Sequence, residues 1–468
     1  MKKRIVMAFL WGLTVLLFAS CHGGKSLTEF ILPEELDLSR TYHLTFWAKN
    51  DSNPTQRQIY DDAIADFEAL YPNIDVEIVH YTSYPDLYAT ILLNIGTKTT
   101  PNVAIAYPDH VAAYLESPNL IVELEQLIDH PKYGLGGADV RFEAPLKDEF
   151  VTQYLEEGYI RNAYDGKTHL YTLPFMRSTE CLYVNKTYLT EHQIPIPEDN
   201  IFTWDEIWSI CRQALVDDPT MIPLIYQSSD NFFIELAYQN GYDFTTDEGD
   251  LLFNNADNRA MVQNLNELYK EGLYVTKAMT GIYPGDKFNK GECIFGIDSS
   301  AGSTWMGPSS PLGHTAQTGE DFEVLVTTIP QVDKTNPQVI SQGPSLCLFN
   351  KEDPQEVLAS WLFMQYLLTN EVQISYAQTE GYSPVTTKAI ESTEFQAFLN
   401  SEDIYDVQKA AILNVMEYKD KTFTTPAFVG SADVRKQVGR IIDSASQSKK
   451  KEIDVYALFK TAMNNCRR

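Results

Sequence analysis

Between Tyr42 and Ala106, strand-length apolar runs alternate with helix-length segments, and this alternation narrows the fold more than any other stretch of the chain. Tyr42–Trp47 (YHLTFW) alternates apolar and polar residues as a strand does, and Lys49-Asn50-Asp51-Ser52 turns into a helix predicted over Thr55–Tyr71. Pro72-Asn73 stops that helix, and Ile74–His80 (IDVEIVH) is the next strand. A second helix opens at Tyr84-Pro85-Asp86-Leu87 and ends near Gly96, and Pro101–Ala106 reads as a third, buried strand. Strand, helix, strand in this order predicts a βαβ unit and a parallel sheet, hence an α/β fold. In open sheets of this kind, ligands bind just beyond the carboxyl ends of the strands. Lys49–Ser52, Thr82–Tyr84 and Tyr107–Asp109 are therefore expected to line one rim.

A chain of 468 residues is too long for one compact core, so two or three lobes are expected. Its 44% hydrophobic and 12% aromatic content is ample for globular packing, and no interior run approaches a membrane-spanning length. The net charge of −28 argues against a nucleic-acid partner, because phosphate binding relies on clustered Lys and Arg. The 27 tyrosines offer both ring faces and hydroxyls, although most of them are expected to be ordinary core and surface residues. Cysteine spacing shows no disulfide framework and no CxxC or Cys/His metal pattern, so no metal and no cofactor is expected. Cys181, Cys293 and Cys347 lie inside strand-like apolar runs and should pack as small hydrophobes.

The N-terminus bears on the compartment. Met1-Lys2-Lys3-Arg4 is a basic segment followed by the short apolar run Ile5–Phe18. Leu17-Phe18-Ala19-Ser20-Cys21 then resembles a bacterial lipoprotein cleavage site with a relaxed pattern at Phe18. That resemblance implies that residues 1–20 are a signal peptide and that Cys21 carries the lipid; plain secretion and an uncleaved anchor are the alternatives. Loss of Lys2, Lys3 and Arg4 would take the mature charge from −28 to −31. Residues 21–40, rich in Gly, Ser, Glu and Leu, read as a tether.

Asp165–Glu206 carries the plainest family signature. It opens with the turn pair Asp165-Gly166, runs into Leu173-Pro174-Phe175, and continues as the strand Cys181–Val184 ending in Asn185-Lys186. After a proline-rich linker, Thr203-Trp204-Asp205-Glu206 has the form of a capping box. This order resembles the carbohydrate-type extracellular solute-binding proteins of ABC importers, the family that includes maltose and glycerol-3-phosphate binders. Two further segments are similar to that family: Phe288–Phe295 (FNKGECIF) and Gly381-Tyr382-Ser383-Pro384-Val385. The resemblance implies an α/β, two-lobed periplasmic-binding-protein fold of type II. The lobes would comprise residues 41–175 with 300–357, and 176–299 with 358–468. Crossings are expected near Pro174–Ser178, Ile297–Gly302 and Glu356–Ser360, the last on an amphipathic helix.

By the same resemblance, Trp47 and the polar turn containing Asp51 match the first sugar-contacting loop, Tyr84 a ligand-contacting tyrosine, and Asp109 a carboxylate that takes sugar hydroxyls. Ser178, Ser299 and Ser300 match polar contacts, Trp305 a sugar platform, Gly343 a close backbone approach, and Tyr382 a tyrosine that reaches ligand. The residues also allow plainer readings: Trp47 as core, Tyr84 as a surface anchor, Asp109 as the cap of a helix at His110–Glu116. Arg177 departs from the family pattern, and a pair with Glu180 is favoured over a ligand contact. The phosphate-binding arginine of the glycerol-phosphate binders is matched here by Ala427-Phe428, which favours a neutral sugar or oligosaccharide.

The implied function is a lipid-anchored receptor, acting as a monomer. It captures a small carbohydrate between its lobes and delivers it to ABC permease subunits in the membrane, facing the periplasm or exterior. A glycerol-3-phosphate or phosphodiester binder is the alternative within the family. A surface-anchored carbohydrate-active hydrolase is the competing class, with no GxSxG, no HExxH and no histidine cluster to support it, so no catalytic residue is assigned. A surface carbohydrate binder that feeds no importer is a third reading.

Overall fold

The computed structural model describes residues 27–49, 53–97, 99–313, 321–446 and 453–466. Two five-stranded sheets organise them, each lying against its own apolar core. In the first sheet, β1 (Tyr42–Lys49) runs parallel to both β2 (Ile74–Tyr81) and β3 (Val103–Ala106). The helices α1 (Pro54–Leu70) and α2 (Tyr84–Asn94) connect and follow them as the alternation predicts. The Asn53 side chain caps α1 by accepting from Thr55 and Gln56 N–H groups, and Pro54 occupies the first turn, where its missing N–H costs nothing. Tyr60, Ala63, Ile64 and Phe67 then bury one face of α1, with Tyr60 edge-on to Phe46 at 5.4 Å. The register pairs Lys49 with Tyr81, so the carboxyl ends of β1 and β2 are level.

The first sheet is completed by two antiparallel strands far along the chain, β6 (Thr172–Pro174) and β13 (Ser345–Leu348). A short hairpin of β4 (Tyr159–Arg161) and β5 (Thr168–Leu170) precedes β6 and follows helix α4 (Thr152–Glu156). The second sheet holds β7 (Glu180–Asn185), β8 (Leu224–Tyr226), β9 (Tyr274–Thr276), β10 (Phe295–Ser299) and β11 (Val324–Thr328), in the order β11-β7-β10-β8-β9. Helix α5 (Trp204–Asp217) begins with the expected Thr203/Glu206 capping box, and Trp204 is buried and stacked on Trp208 at 5.4 Å.

Several boundaries differ from expectation. β11 pairs antiparallel with β7, so the segment expected to return to the first lobe stays in the second. Helix α7 (Pro354–Leu367) carries no crossing and has no polar face: Val357 through Leu367 are all buried, and Phe363 meets Phe46 and Phe67 in the first core. An apolar run of that length satisfies burial on all sides, whereas a single-faced helix would leave half of it in water. The chain passes between lobes at 175–179, at 341–344, and between the helices Thr393–Leu399 and Asp406–Tyr418, the second of which packs on β11. Residues 300–340 thus belong to the second lobe and 345–399 to the first. Within Ile121–Ile128 only Glu125–Ile128 is helical, because Ile121 bridges Phe349 and the Val122 N–H bonds Leu348.

The expected tether is also docked where it is described. Phe30 and Leu36 are buried in the first core, the Leu36 N–H donates to Tyr133 Oη at 3.2 Å, and Gln355 Nε2 donates to Glu35 O at 2.8 Å. Cys21 and Asp51 lie outside the described residues. Cys181, Cys211, Cys293 and Cys347 are free and buried, and Cys466 is free and half-buried.

Candidate functional site

A cleft of about 1460 Å³ lies between the lobes, and the rim rule for parallel sheets places its first wall. Lys49 at the end of β1, Thr82–Tyr84 after β2 and Tyr107–Asp109 after β3 all line it. Tyr84 and Tyr107 stand 4.6 Å apart between ring centroids, and His110 stacks on Tyr88 at 4.3 Å. Burial pushes the Tyr84 and Tyr107 hydroxyls upward and holds the His110 imidazole below its usual range, so these groups are neutral hydrogen-bonding surfaces at pH 7. Asp109 does not cap a helix from outside. It sits in the first turn of α3 (Pro108–Tyr114), whose N-cap is Tyr107.

The facing wall comes from the second sheet and one long helix. Gln227–Asn231 follow β8 into the start of α6 (Ser229–Gln239), and Asp298 and Ser299 end β10. Helix α8 (Ser431–Ser446) lies along the cleft and presents Ala432, Arg435, Lys436, Gly439, Arg440 and Asp443, spaced by three or four residues, as one helical face must be. Gly439 permits the close approach of α8 to α6, since a Cβ there would stand 3.1 Å from the Asp230 nitrogen.

Arg435 corrects the expectation that this chain lacks an arginine in the cleft. Its guanidinium reaches Asp230 at 3.2 Å and Asp109, across the cleft, at 3.9 Å, and it also donates to Asn231 Oδ1. Burial works to lower its pKa, but Asp230, Asp109 and Glu180 outweigh burial and raise it. Ala427-Phe428 lies before α8, whereas Arg435 stands on the helix itself. The signal in the sequence is the periodicity of charged and small residues over 432–443, interleaved with the buried Val434, Val438, Ile441 and Ile442.

Glu180 and Asp298 form the most strongly perturbed pair of acids in the wall. Burial pushes Glu180 up to about 8 and Asp298 up to about 7. Glu180 accepts from Tyr226 Oη and from Asn231 Nδ2, the latter at 2.8 Å. Asp443 is likewise raised by burial and accepts from Ser229 and Thr276. In all, ten acidic and six basic side chains line the cleft among the described residues, and burial raises five of the acids, Glu157, Glu180, Asp298, Glu380 and Asp443.

The site residues expected from sequence divide accordingly. Tyr84, Asp109, Ser178, Ser299, Trp305, Gly343 and Tyr382 line the cleft. Trp305 is 43% exposed, a ring face open to solvent, and Tyr382 packs on Tyr376 at 5.7 Å. Gly343 has φ of 120°, and a Cβ there would stand 2.3 Å from Met176 O, so the position requires glycine. Two residues are not brought to the site. Trp47 is in the core against Tyr81, because an inward-facing position of β1 leaves its indole under α2. Ser300 is fully buried and bonds Thr179 through backbone and hydroxyl, which makes it a fastener for the chain passage. Arg177 pairs with Glu157 at 3.0 Å rather than with Glu180, and it is fully buried, off the cleft surface.

One group away from the cleft has metal-type chemistry: Glu123, Asp165 and His169 bring ligand atoms within 4.8 Å of one another. His169 is already bonded to Asp165 at 2.8 Å and lies 3.5 Å from Glu123, so the group is also satisfied as an ion-paired cluster.

Comparison with known proteins supplies the rest. Residues 62–400 match the bacterial extracellular solute-binding protein family. The sn-glycerol-3-phosphate-binding periplasmic protein UgpB of Yersinia pestis is 26% identical over 367 residues, covering 75% of this chain and 77% of that protein. Two solved structures share the fold at TM-score 0.69: UgpB of Mycobacterium tuberculosis in complex with glycerophosphocholine, 15% identical over 90% of this chain and 97% of that one, and an ABC substrate-binding protein of Listeria monocytogenes in complex with cycloalternan, 16% identical over 91% and 98%. The two-lobed, type II periplasmic-binding-protein architecture is therefore shared across proteins of very different ligands.

Proposed function

The chain belongs to the bacterial extracellular solute-binding protein family, and from that premise we propose that it captures a sugar or oligosaccharide between its lobes and delivers it to the permease of an ABC importer. The observation that carries this reading is the composition of the cleft. Ring faces from Tyr84, Tyr107, Tyr382 and Trp305 stand opposite or beside carboxyl groups and hydroxyls from Asp109, Glu180, Asp298, Ser178 and Ser299. Ring faces take the apolar C–H side of a pyranose, and carboxylates accept from its hydroxyls.

Arg435 favours a second reading, a glycerol-phosphate or phosphodiester ligand, because a half-buried guanidinium in the cleft is a charge-assisted donor for phosphate. The resemblance to sn-glycerol-3-phosphate binders points the same way. Against it, Arg435 already faces Asp230 and Asp109, so a phosphate would have to displace them. In our reading the receptor acts as a monomer, without catalysis, held by lipid on Cys21 outside the cytoplasmic membrane.

A thermal-shift screen against mono- and oligosaccharides and glycerophosphodiesters tests the assignment. At a hundredfold excess over Kd, a bound solute stabilises the protein by roughly 2.7 kcal/mol. Stabilisation by saccharides supports the first reading and stabilisation by phosphodiesters alone the second. Cleavage of a glycoside during the screen would replace both by a hydrolase.

A further inference from the structure

The chain departs from the family pattern at Met176-Arg177, and the buried arginine there sits where two of the three inter-lobe passages meet. Its Nη1 donates to Met176 O and Pro344 O, both at 2.9 Å, and its Nη2 to Ser345 Oγ at 3.0 Å and to Glu157 Oε2 at 3.0 Å. Its backbone exchanges two hydrogen bonds with Ser383. All of these partners belong to the first lobe, so Arg177 fixes the first-lobe ends of the passages at 175–179 and 341–344. On the other side, Thr179 Oγ1 donates to Ile340 O at 2.8 Å and Thr179 O accepts from the Ser300 N–H at 2.7 Å, which fixes their second-lobe ends. Between the two sets of fastenings lie Ser178, Ser341 and Gln342, with Ser178 and Gln342 joined by reciprocal backbone bonds of 2.8 and 2.9 Å.

Ser341 spans this joint. Its N–H donates to Phe423 O at 2.8 Å, in the strand pair of β12 (Val339–Ile340) and β14 (Thr422–Phe423), while its hydroxyl donates to Glu157 Oε1 at 2.5 Å on the first lobe. Glu157 therefore holds Arg177 with one oxygen and Ser341 with the other, and it faces the cleft. We propose that the Ser341 hydroxyl and the Glu157 carboxylate form a latch across the hinge, with Arg177 as the positioning residue that holds the carboxylate in place, so that changing the opening of the cleft requires this one contact to break. A solute hydroxyl arriving at Glu157 can replace the Ser341 hydroxyl bond for bond, which makes the latch responsive to occupancy. The inference concerns the hinge and holds whichever solute the cleft takes.

The test is pulsed electron–electron spin resonance on the ligand-free protein, with Cys466→Ser as background and spin labels at Leu93→Cys on the first lobe and Val216→Cys on the second. Both label sites are 81% exposed. Ser341→Ala removes only the hydroxyl, and Glu157→Gln keeps the shape of the acceptor while removing its charge. The latch predicts that each variant adds a second, displaced distance population absent from the parent. It also predicts that the double variant goes no further than Glu157→Gln alone, because Glu157→Gln weakens the Ser341 contact together with the Arg177 pair, and Ser341→Ala removes only the former. Thr187→Ala, which removes a hydroxyl that bonds the Glu323 N–H, leaves the distribution as it was. A Ser341→Ala distribution superimposable on the parent overturns the proposal, and so do displacements that add in the double variant. If Glu157→Gln does not fold, Ser341→Ala alone decides between these results.

Discussion

Replacing Glu180 with glutamine should flatten the dependence of thermal stability on pH. Burial at the floor of the cleft pushes this carboxyl from its ordinary 4.5 up to about 8, with Asp230 and Asp298 adding repulsion against the hydrogen bonds from Tyr226 and Asn231. The unfolded chain loses the same proton near ~4.3. Between these values the folded protein holds a proton that the unfolded chain has released, so stability falls as pH rises, by about 1.4 kcal/mol per pH unit. The contribution is fully present below the unfolded pKa and is lost by the time pH passes about 8. A lobe of this size loses roughly 2–4 °C per kcal/mol, which gives a slope of about 3–6 °C per pH unit from this residue alone. Glutamine keeps one acceptor for Tyr226 or Asn231 and has no proton to lose. Differential scanning fluorimetry from pH 5.5 to 8 on the ligand-free protein should show the variant losing melting temperature more slowly than the parent. The two curves converge toward acid pH and separate toward pH 8, and the residual slope belongs to the other acids raised by burial, among them Asp298, Asp443, Glu157, Glu235 and Glu380. Parallel curves would refute the assignment of Glu180 as a neutral acid in the wall.

Other outcomes follow from the same geometry. Gly343→Ala forces a methyl group toward Met176 O at a φ of 120°, so it should destabilise the protein by about 2 kcal/mol or more in denaturant titration. Trp47→Phe should lower stability by about 1–3 kcal/mol while leaving solute affinity unchanged, because the indole is core; a large loss of affinity without loss of stability would return Trp47 to the site. Arg435→Gln separates the two ligand readings. It should weaken a phosphodiester by tenfold or more, about 1.4 kcal/mol, and leave a neutral saccharide within a few-fold in calorimetry.

The sequence foretold the fold where one local signal dominated. The alternation over Tyr42–Ala106 predicted β1, α1, β2, α2 and β3 to within a few residues, and Thr203/Glu206 predicted the start of α5. It failed where the decision is non-local. Nothing within Val324–Thr328 says whether that strand pairs with β7 or crosses to the first sheet; its antiparallel register with Val184 and Asn185 decides it. The first wall of the site was legible because strand ends are predictable, and Tyr84 and Asp109 fell there. The second wall was not, since α8 reaches the cleft only through its packing on α6, some 200 residues earlier in the chain, at Gly439 against Asp230. Arg177 illustrates the same point: Glu180 is its near neighbour in sequence, but β6 and β7 splay toward different lobes, and Glu157 is the acid within reach.

Isothermal titration of the protein with the saccharide that stabilises it most strongly, beside Tyr84→Ala and Tyr382→Ala, is the experiment on which the reading stands. These tyrosines reach the cleft from two separate segments of the first lobe, so the proposed site predicts one solute per chain for the parent and at least tenfold weaker binding for each variant, with melting temperature lowered far less than affinity. Equal affinity in parent and both variants, or a saccharide screen without a single binder, would contradict it.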